Sequence, residues 1–193
     1  MTVDIRFLRA SGDRDTLFGF LDFYRNELIE KSSGLSDEQA RMTSVPPSDL
    51  SLMGLIRHMA EVERHWFRNI LVAEETPSLF CRDSHPTGDP DGDFHVTSTD
   101  TLNVSIAQLR AEISIADVNL AKFTLDDMAA RGGSRPGSGI PNVRWIVVHM
   151  IEEYAKSMLF SKAVQKAFND MEGLNAFIAM NRNNHQFVAV RSG

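Results

Sequence analysis

The chain has 193 residues, of which 42% are hydrophobic and 24% are charged, and its formal net charge is −6. This length and composition are typical of a single globular domain that is large enough to bury a hydrophobic core. The negative charge argues against a nucleic-acid partner, because proteins that bind the phosphate backbone carry a basic surface. We also expect no membrane partner, since no hydrophobic run reaches the roughly 20 residues that span a bilayer.

The start of the chain and its cysteine content bear on the compartment. The sequence MTVDIRFLRASGDRD contains acidic residues and lacks the hydrophobic segment of a signal peptide, so we expect no export. The only cysteine, Cys81, cannot form an internal disulfide. A chain without disulfides is suited to a reducing compartment, and the sequence therefore predicts a cytoplasmic protein.

Hydrophobic residues recur with helical spacing in four segments. The first spans residues 13–31 and is followed by a polar break at residues 32–41. The second begins after two prolines, with Ser48 or Asp49 as its N-cap, and ends near residue 73. The third spans residues 100–126, and the fourth begins at residue 141 or 142 and ends near residue 169.

The segments between these helices have the composition of loops. Residues 77–100, PSLFCRDSHPTGDPDGDFHVTSTD, are rich in Pro, Gly and Asp, and residues 131–139, RGGSRPGSG, form a flexible connector. DPDGDFHVTSTD has the acids of a calcium loop, but its glycine falls at the fourth position instead of the sixth, which argues against calcium. The sequence thus predicts an all-α four-helix bundle over residues 1–170, with long inter-helix loops and a C-terminal extension at residues 171–193.

Two of the predicted helices carry residues with the spacing of a metal site. His149, Glu153 and Ser157 follow one another at intervals of four and share one helix face, and His58 lies on the second helix. Bundle metal sites are built from side chains of facing helices, and a three-ligand site leaves one position open for water or substrate. Ser157 stands where an imidazole would complete the site, and its neutral hydroxyl is a poor ligand for zinc or nickel. His149 is the alternative ligand, although it lies one turn earlier.

A carboxylate inside a bundle requires a partner, because an isolated buried charge is costly. We therefore predict that Glu153 pairs with His58, through a hydrogen bond or a shared water.

Other aromatic, histidine and cysteine side chains have simpler interpretations. Trp66 and Trp145 are predicted to be core anchors, and the alternative is that they are walls facing a substrate. His65 is predicted to lie on an exposed surface of ion pairs with its charged neighbours. Cys81 and His85 could form a nucleophile and a base, but no third group to orient them is visible, which argues against this pairing.

Two motifs carry a resemblance to a known family. PPSDLSLMGLIRHMAEVERHWFRNIL, at residues 46–71, and VRWIVVHMIEEYA, at residues 143–155, resemble the DinB-like superfamily, in particular an uncharacterised bacterial branch. The superfamily includes mycothiol-dependent maleylpyruvate isomerase and the bacillithiol transferases. The resemblance covers roughly residues 13–156 and implies a four-helix bundle, often a homodimer, with a divalent metal near one end.

The resemblance places the metal ligands at His58, Glu153 and Ser157. After EEYA the family continues with Arg-His-x-Gly-His-Ala-Asp, whereas this chain has KSMLFSK. Ser157 thus replaces the last histidine ligand, and we expect a degenerate site for zinc or nickel.

The resemblance implies two alternative functions. The first is a mycothiol-type S-transferase, in which a metal lowers the pKa of a low-molecular-weight thiol that then attacks a small electrophile. The second is a non-catalytic bundle that binds a small ligand or dimerises and has lost metal-dependent activity. The serine at position 157 counts against the first alternative.

Overall fold

A computed structural model describes residues 8, 11–43, 50–81, 88–133 and 139–159. This part of the chain is helical and contains no strand, which confirms the predicted all-α class; Met128 and Asn142 form one isolated bridge. The helices are α1 (Asp13–Ser32), α2 (Asp37–Arg41), α3 (Leu52–Arg64), α4 (Leu102–Leu120) and α5 (residues 143–159). Helix α3 continues directly as a π-helix (His65–Ile70). The predicted end of the fourth helix and the predicted extension at residues 171–193 lie outside the described residues.

The boundaries of α3 and α4 differ from the predicted ones. Helix α3 begins after Ser51, whose hydroxyl accepts a hydrogen bond from Gly54 N, whereas the predicted caps Ser48 and Asp49 lie outside the described residues. Helix α4 begins after Thr101, which caps it in the same way, and ends before the predicted residue 126. The guanidinium of Arg14 donates to the carbonyls of Leu120 and Phe123, so a side chain from α1 caps the end of α4.

The polar break predicted at residues 32–41 contains a short helix, α2. Ser36 Oγ accepts a hydrogen bond from Gln39 N at 3.1 Å, and Gln39 Oε1 accepts one from Ser36 N at 2.8 Å. This reciprocal pair is a capping box, which satisfies two backbone donors at a helix start. The Ser-x-x-Gln pattern that signals it is present in the sequence, so this part of the prediction was wrong for a local reason.

A buried ion pair connects the helices at the centre of the bundle. Arg25 of α1 donates through Nε and Nη2 to the two carboxylate oxygens of Glu63 of α3, at 2.7 Å each. Tyr154 of α5 donates its hydroxyl to Glu63 Oε1 at 2.8 Å, and Arg25 Nη1 donates to Asp117 Oδ1 of α4 at 2.9 Å. Burial, and next the charge of Glu63, raise the pKa of Tyr154 well above its ordinary value, so the phenol stays protonated and donates.

Hydrophobic side chains from all the long helices surround this ion pair. The largest fully buried hydrophobic side chains are those of Leu21, Leu28, Leu52, Met53, Ile56, Met59, Phe67, Leu71, Leu109, Leu120 and Ile146.

None of the described helices combines the length and the apolar composition that crossing a bilayer requires.

Substitutions at the buried ion pair are expected to destabilise the fold in a graded way. Tyr154→Phe removes one hydrogen bond to a charged acceptor and should lower the free energy of unfolding by about 1.5–3 kcal/mol. Arg25→Met leaves the Glu63 carboxylate buried without its counter-charge and should cost about 3–5 kcal/mol. Urea denaturation measures both losses.

The control for this series is Arg144→Gln, which removes ion pairs with Asp13 and Asp126 at the surface. Exposed ion pairs contribute little, so its unfolding midpoint should match that of the unsubstituted protein. If Arg25→Met unfolds at the same urea concentration as Arg144→Gln, the buried ion pair does not have the central role assigned to it.

Candidate functional site

The C-terminal end of α3 widens into a π-helix at His65–Ile70. The N–H of Leu71 donates to the carbonyl of Trp66 at 2.9 Å, which is the five-residue spacing of a π turn. Such turns are rare and are frequently found at functional sites. This one carries His65 and Trp66, whose side chains line a cavity together with His58.

The cavity at His58 has a volume of about 310 Å³ and is called the His58 cavity below. His58 Nδ1 donates to Asp93 Oδ2 at 2.7 Å, and the imidazole stacks on Phe94 with 4.9 Å between ring centroids. Because the ionised carboxylate can only accept, the neutral imidazole carries its proton on Nδ1 and its lone pair on Nε2. The lining residues are His58, Glu61, Val62, His65, Trp66, Ser78, Cys81, Pro90, Asp91, Asp93 and Phe94.

The loop that carries Asp93 is anchored on α3 by Arg57. The guanidinium of Arg57 donates to Gly92 O at 2.8 Å and to Asp100 Oδ2 at 3.0 Å, and it lies 4.2 Å from the ring centroid of Phe80. A Cβ atom at Gly92 would approach Phe80 O to 2.1 Å, so only glycine fits at this close contact. These contacts hold the backbone next to Asp93 and thereby position its carboxylate beside His58.

Cys81 lines the His58 cavity, and its thiol is protonated at neutral pH. Burial, and next the negative charge of Asp93, raise the pKa of Cys81 to about 12. The thiolate is the reactive form of cysteine, so Cys81 is a poor nucleophile at neutral pH. His85, the base considered and argued against for this cysteine, lies outside the described residues.

A second cavity of about 470 Å³, called the tryptophan cavity below, lies beside an aromatic cluster. The Trp66 ring centroid is 5.3 Å from that of Trp145 and 4.9 Å from that of His149, and the Trp145 and His149 rings stack at 5.0 Å. Trp145 is 50% exposed, so its predicted role as a core anchor was wrong, and Trp66 is only partly buried. The lining residues are Trp66, Met128, Gly133, Gly139, Ile140, Pro141, Asn142 and Trp145.

The exposed ion-pair surface predicted around His65 does not form. His65 is half-buried, and burial together with the nearby His149 lowers its pKa below the ordinary value. Its neighbour Glu61 accepts hydrogen bonds from the backbone of the Cys81 loop, and Arg64 pairs with Glu112, which is buried. The prediction treated these residues as a solvated face, whereas helix α4 and the loop that follows the π-helix cover them.

His58 and Glu153 do not form the predicted direct hydrogen bond. His58 is hydrogen-bonded to Asp93 instead. Glu153 Oε1 instead lies 3.8 Å from His149 Nε2 and 3.7 Å from Lys156 Nζ. The Glu153 side chain is 24% exposed, so solvent and these neighbours stabilise its charge. A buried partner is therefore not required.

The other predicted metal position, Ser157, is directed into the core. Its hydroxyl donates to Met59 Sδ at 3.4 Å, and the residue is 6% exposed. Within the described ranges, no three or more His, Cys, Asp or Glu side chains are grouped so that they could hold a metal ion. The zinc or nickel site with ligands His58, Glu153 and Ser157 or His149 is thus not assembled among the described residues, and it stays a prediction.

Sequence reasoning predicted His58 as a metal ligand and did not single out its hydrogen-bond partner Asp93, which is 35 residues away in the chain. The signal that could have suggested Asp93 is the cluster of acids in DPDGDF. These acids were considered only as ligands of a calcium loop. Nothing local to that loop indicates which of its acids meets the histidine.

The hydrogen bond to Asp93 is expected to determine the tautomer of His58. Asp93→Asn weakens the acceptor, and the imidazole should then shift from the Nδ1–H form toward the Nε2–H form. Nitrogen chemical shifts of the imidazole, measured by long-range proton–nitrogen NMR, report the change. Asp91→Asn is the matched control, since Asp91 lines the same cavity but is exposed. Identical His58 shifts in the two variants would contradict the assignment.

Comparison with known proteins agrees with the resemblance seen in the two motifs. The sequence model of one family, described as mycothiol-S-transferase, matches residues 16–157. None of the curated proteins matches the chain at a significant level. The matched segment includes most of the bundle and every lining residue of the His58 cavity. The chain belongs to the mycothiol-S-transferase family.

Proposed function

We propose that this protein is a thiol S-transferase in which His58 takes the proton from a low-molecular-weight thiol of the mycothiol type. The observation that carries the proposal is the 2.7 Å hydrogen bond from His58 Nδ1 to Asp93 Oδ2, inside a cavity of a chain from this family. The cavity volume of about 310 Å³ is at the lower end of the range for small-molecule sites.

The chemistry follows from the roles of the two ring nitrogens. Asp93 holds the proton on Nδ1, so Nε2 carries the lone pair that can accept the S–H proton of a bound thiol. The sulfur then forms a bond to an electrophilic carbon, and the leaving group departs with the electron pair of the broken bond. The imidazolium passes its proton to the leaving group or to solvent, which restores the starting state.

The nucleophilic sulfur belongs to the co-substrate and not to the protein. Cys81 is the only cysteine of the chain, and its pKa of about 12 leaves it protonated at neutral pH. Glu153 and Ser157, the other predicted metal positions, contact Lys156, His149 and Met59. The proposal assigns the proton of the thiol to His58.

The non-catalytic alternative uses the same cavity but differs in outcome, because it predicts binding of a small ligand or thiol without turnover. Assembly as a homodimer is compatible with either function and stays a prediction.

His58→Gln is expected to lower kcat/KM for alkylation of mycothiol by iodoacetamide about 10²–10⁴-fold, because the variant lacks the general base. The matched control is His95→Gln, since His95 also pairs with an aspartate, Asp89, but lies outside the His58 cavity. Release of iodide measures the rate, after subtraction of the reaction without protein.

Equal rates in the His58→Gln and His95→Gln variants would overturn the role of His58. Calorimetric binding of mycothiol to the unsubstituted protein, with no rate above background, would support the non-catalytic alternative instead.

A further inference from the structure

We infer that the tryptophan cavity is the binding site for the second substrate, and that this substrate is an uncharged, flat aromatic electrophile. This inference rests on the proposed function, and it adds the chemical class of the molecule that receives the thiol. It depends on four features of the cavity: its fixed backbone, its lining, the orientation of Trp145 and its position next to the His58 cavity.

The backbone around the cavity is held in place from two sides. Residues 129–131 lie between the end of the π-helix and the start of α5, and hydrogen bonds join them to both. The bonds are Ala130 N to Leu71 O at 3.0 Å, Arg131 N to Ile70 O at 3.1 Å and Ala129 N to Pro141 O at 2.9 Å. These bonds hold the backbone beside Met128 and at Pro141, two of the lining residues, and largely pre-formed walls are typical of small-molecule sites.

The lining is apolar and carries no charged side chain among the described residues. Met128, Ile140 and Trp145 are 57%, 52% and 50% exposed, so three large hydrophobic side chains meet solvent at this one place. The polar side chain Asn142 already accepts a hydrogen bond from Trp145 N through Oδ1 at 2.9 Å. A charged occupant would lose its hydration here without compensation, whereas an apolar one would cover exposed hydrophobic surface.

The orientation of Trp145 favours a flat ring. One face of its indole stacks on His149 at an interplanar angle of 14° and a centroid distance of 5.0 Å. The half-exposed Trp145 also lines the cavity, and the adjacent Trp66 ring, tilted by 56° relative to it, is a second aromatic wall. Aromatic rings gain stacking energy beyond the burial of their area, so an aromatic molecule fits these walls better than an aliphatic one of equal size.

Trp66 connects the two sites because it lines both the tryptophan cavity and the His58 cavity. A thiol beside His58 and an aromatic electrophile beside Trp145 would therefore be neighbours across a single side chain. Bringing two reactants together in this way converts an encounter in solution into a reaction within one complex. The cavity volume of about 470 Å³ lies within the range that accommodates small organic ligands.

Binding can be measured without any turnover, because the only two tryptophans of the chain, Trp66 and Trp145, both line the cavity. The probe is 2,4-dinitrotoluene, which is flat, uncharged and has no leaving group. It should quench the intrinsic fluorescence with a saturable dependence on its concentration. Acetamide, which is small and not aromatic, serves as the comparison ligand and should leave the emission unchanged.

Two variants test the location of the probe. Trp145→Ala removes the stacking wall and should raise the Kd of the probe about tenfold, the size of a stacking contact. Ile140→Ser makes part of the apolar lining polar and should also raise the Kd. Trp66 remains as the fluorescent reporter in both variants. Val148→Ala is the matched control, because Val148 is a similarly exposed hydrophobic residue of α5 outside the cavity. It should leave the Kd unchanged.

A kinetic comparison separates this inference from the proposed function. With 1-chloro-2,4-dinitrobenzene as electrophile, Trp145→Ala should raise KM about tenfold, whereas Val148→Ala should leave KM unchanged, because only Trp145 makes the stacking contact. Absence of saturable quenching, or equal Kd values in Trp145→Ala and Val148→Ala, would overturn the aromatic site while leaving the His58 test intact. Saturable, Trp145-dependent binding without any thiol transfer would support the aromatic site and reject the transferase.

Discussion

The buried ion pair between Arg25 and Glu63 is the constraint on which the arrangement of the helices depends. Its two parallel hydrogen bonds, with further contacts from Tyr154 and Asp117, connect α1, α3, α4 and α5 at one point. A charged group in the core is tolerated only when all its hydrogen bonds are made, so each helix must present one particular side to the centre. The ion pair thus constrains the rotation of α1, α3 and α5 about their own axes, because the side chains that they contribute, Arg25, Glu63 and Tyr154, are buried.

That rotation explains where the candidate site residues lie. His58 precedes Glu63 by five residues, which separates the two side chains by about 140° around α3 and directs His58 away from the ion pair, toward the loop that carries Asp93. On α5, Ser157 follows Tyr154 by one short turn and therefore also points into the core, where it meets Met59. The same helix rotation that buries Tyr154 thus also buries Ser157.

The irregular segments contribute Asp93 and part of the lining of the tryptophan cavity. Residues 88–100 bring Asp93 to His58, while Met128, Gly133 and residues 139–142, which lie between α4 and α5 in the chain, line the tryptophan cavity. Both loops are fastened to α3 and its π-helix, by Arg57 in one case and by the carbonyls of Ile70 and Leu71 in the other. The widened end of α3 is therefore shared by both cavities, with Trp66 between them.

The sequence by itself determined the all-α class, most of α1, the family resemblance and the choice of His58, because helical periodicity and short motifs are local properties of the chain. Only the tertiary structure decided that His58 pairs with Asp93, that Ser157 contacts Met59 and that Trp145 lies at the surface. The first two contacts join residues 35 and 98 positions apart. Such contacts depend on helix rotation and loop path, which burial and ion pairing across the whole bundle establish together and no single segment encodes.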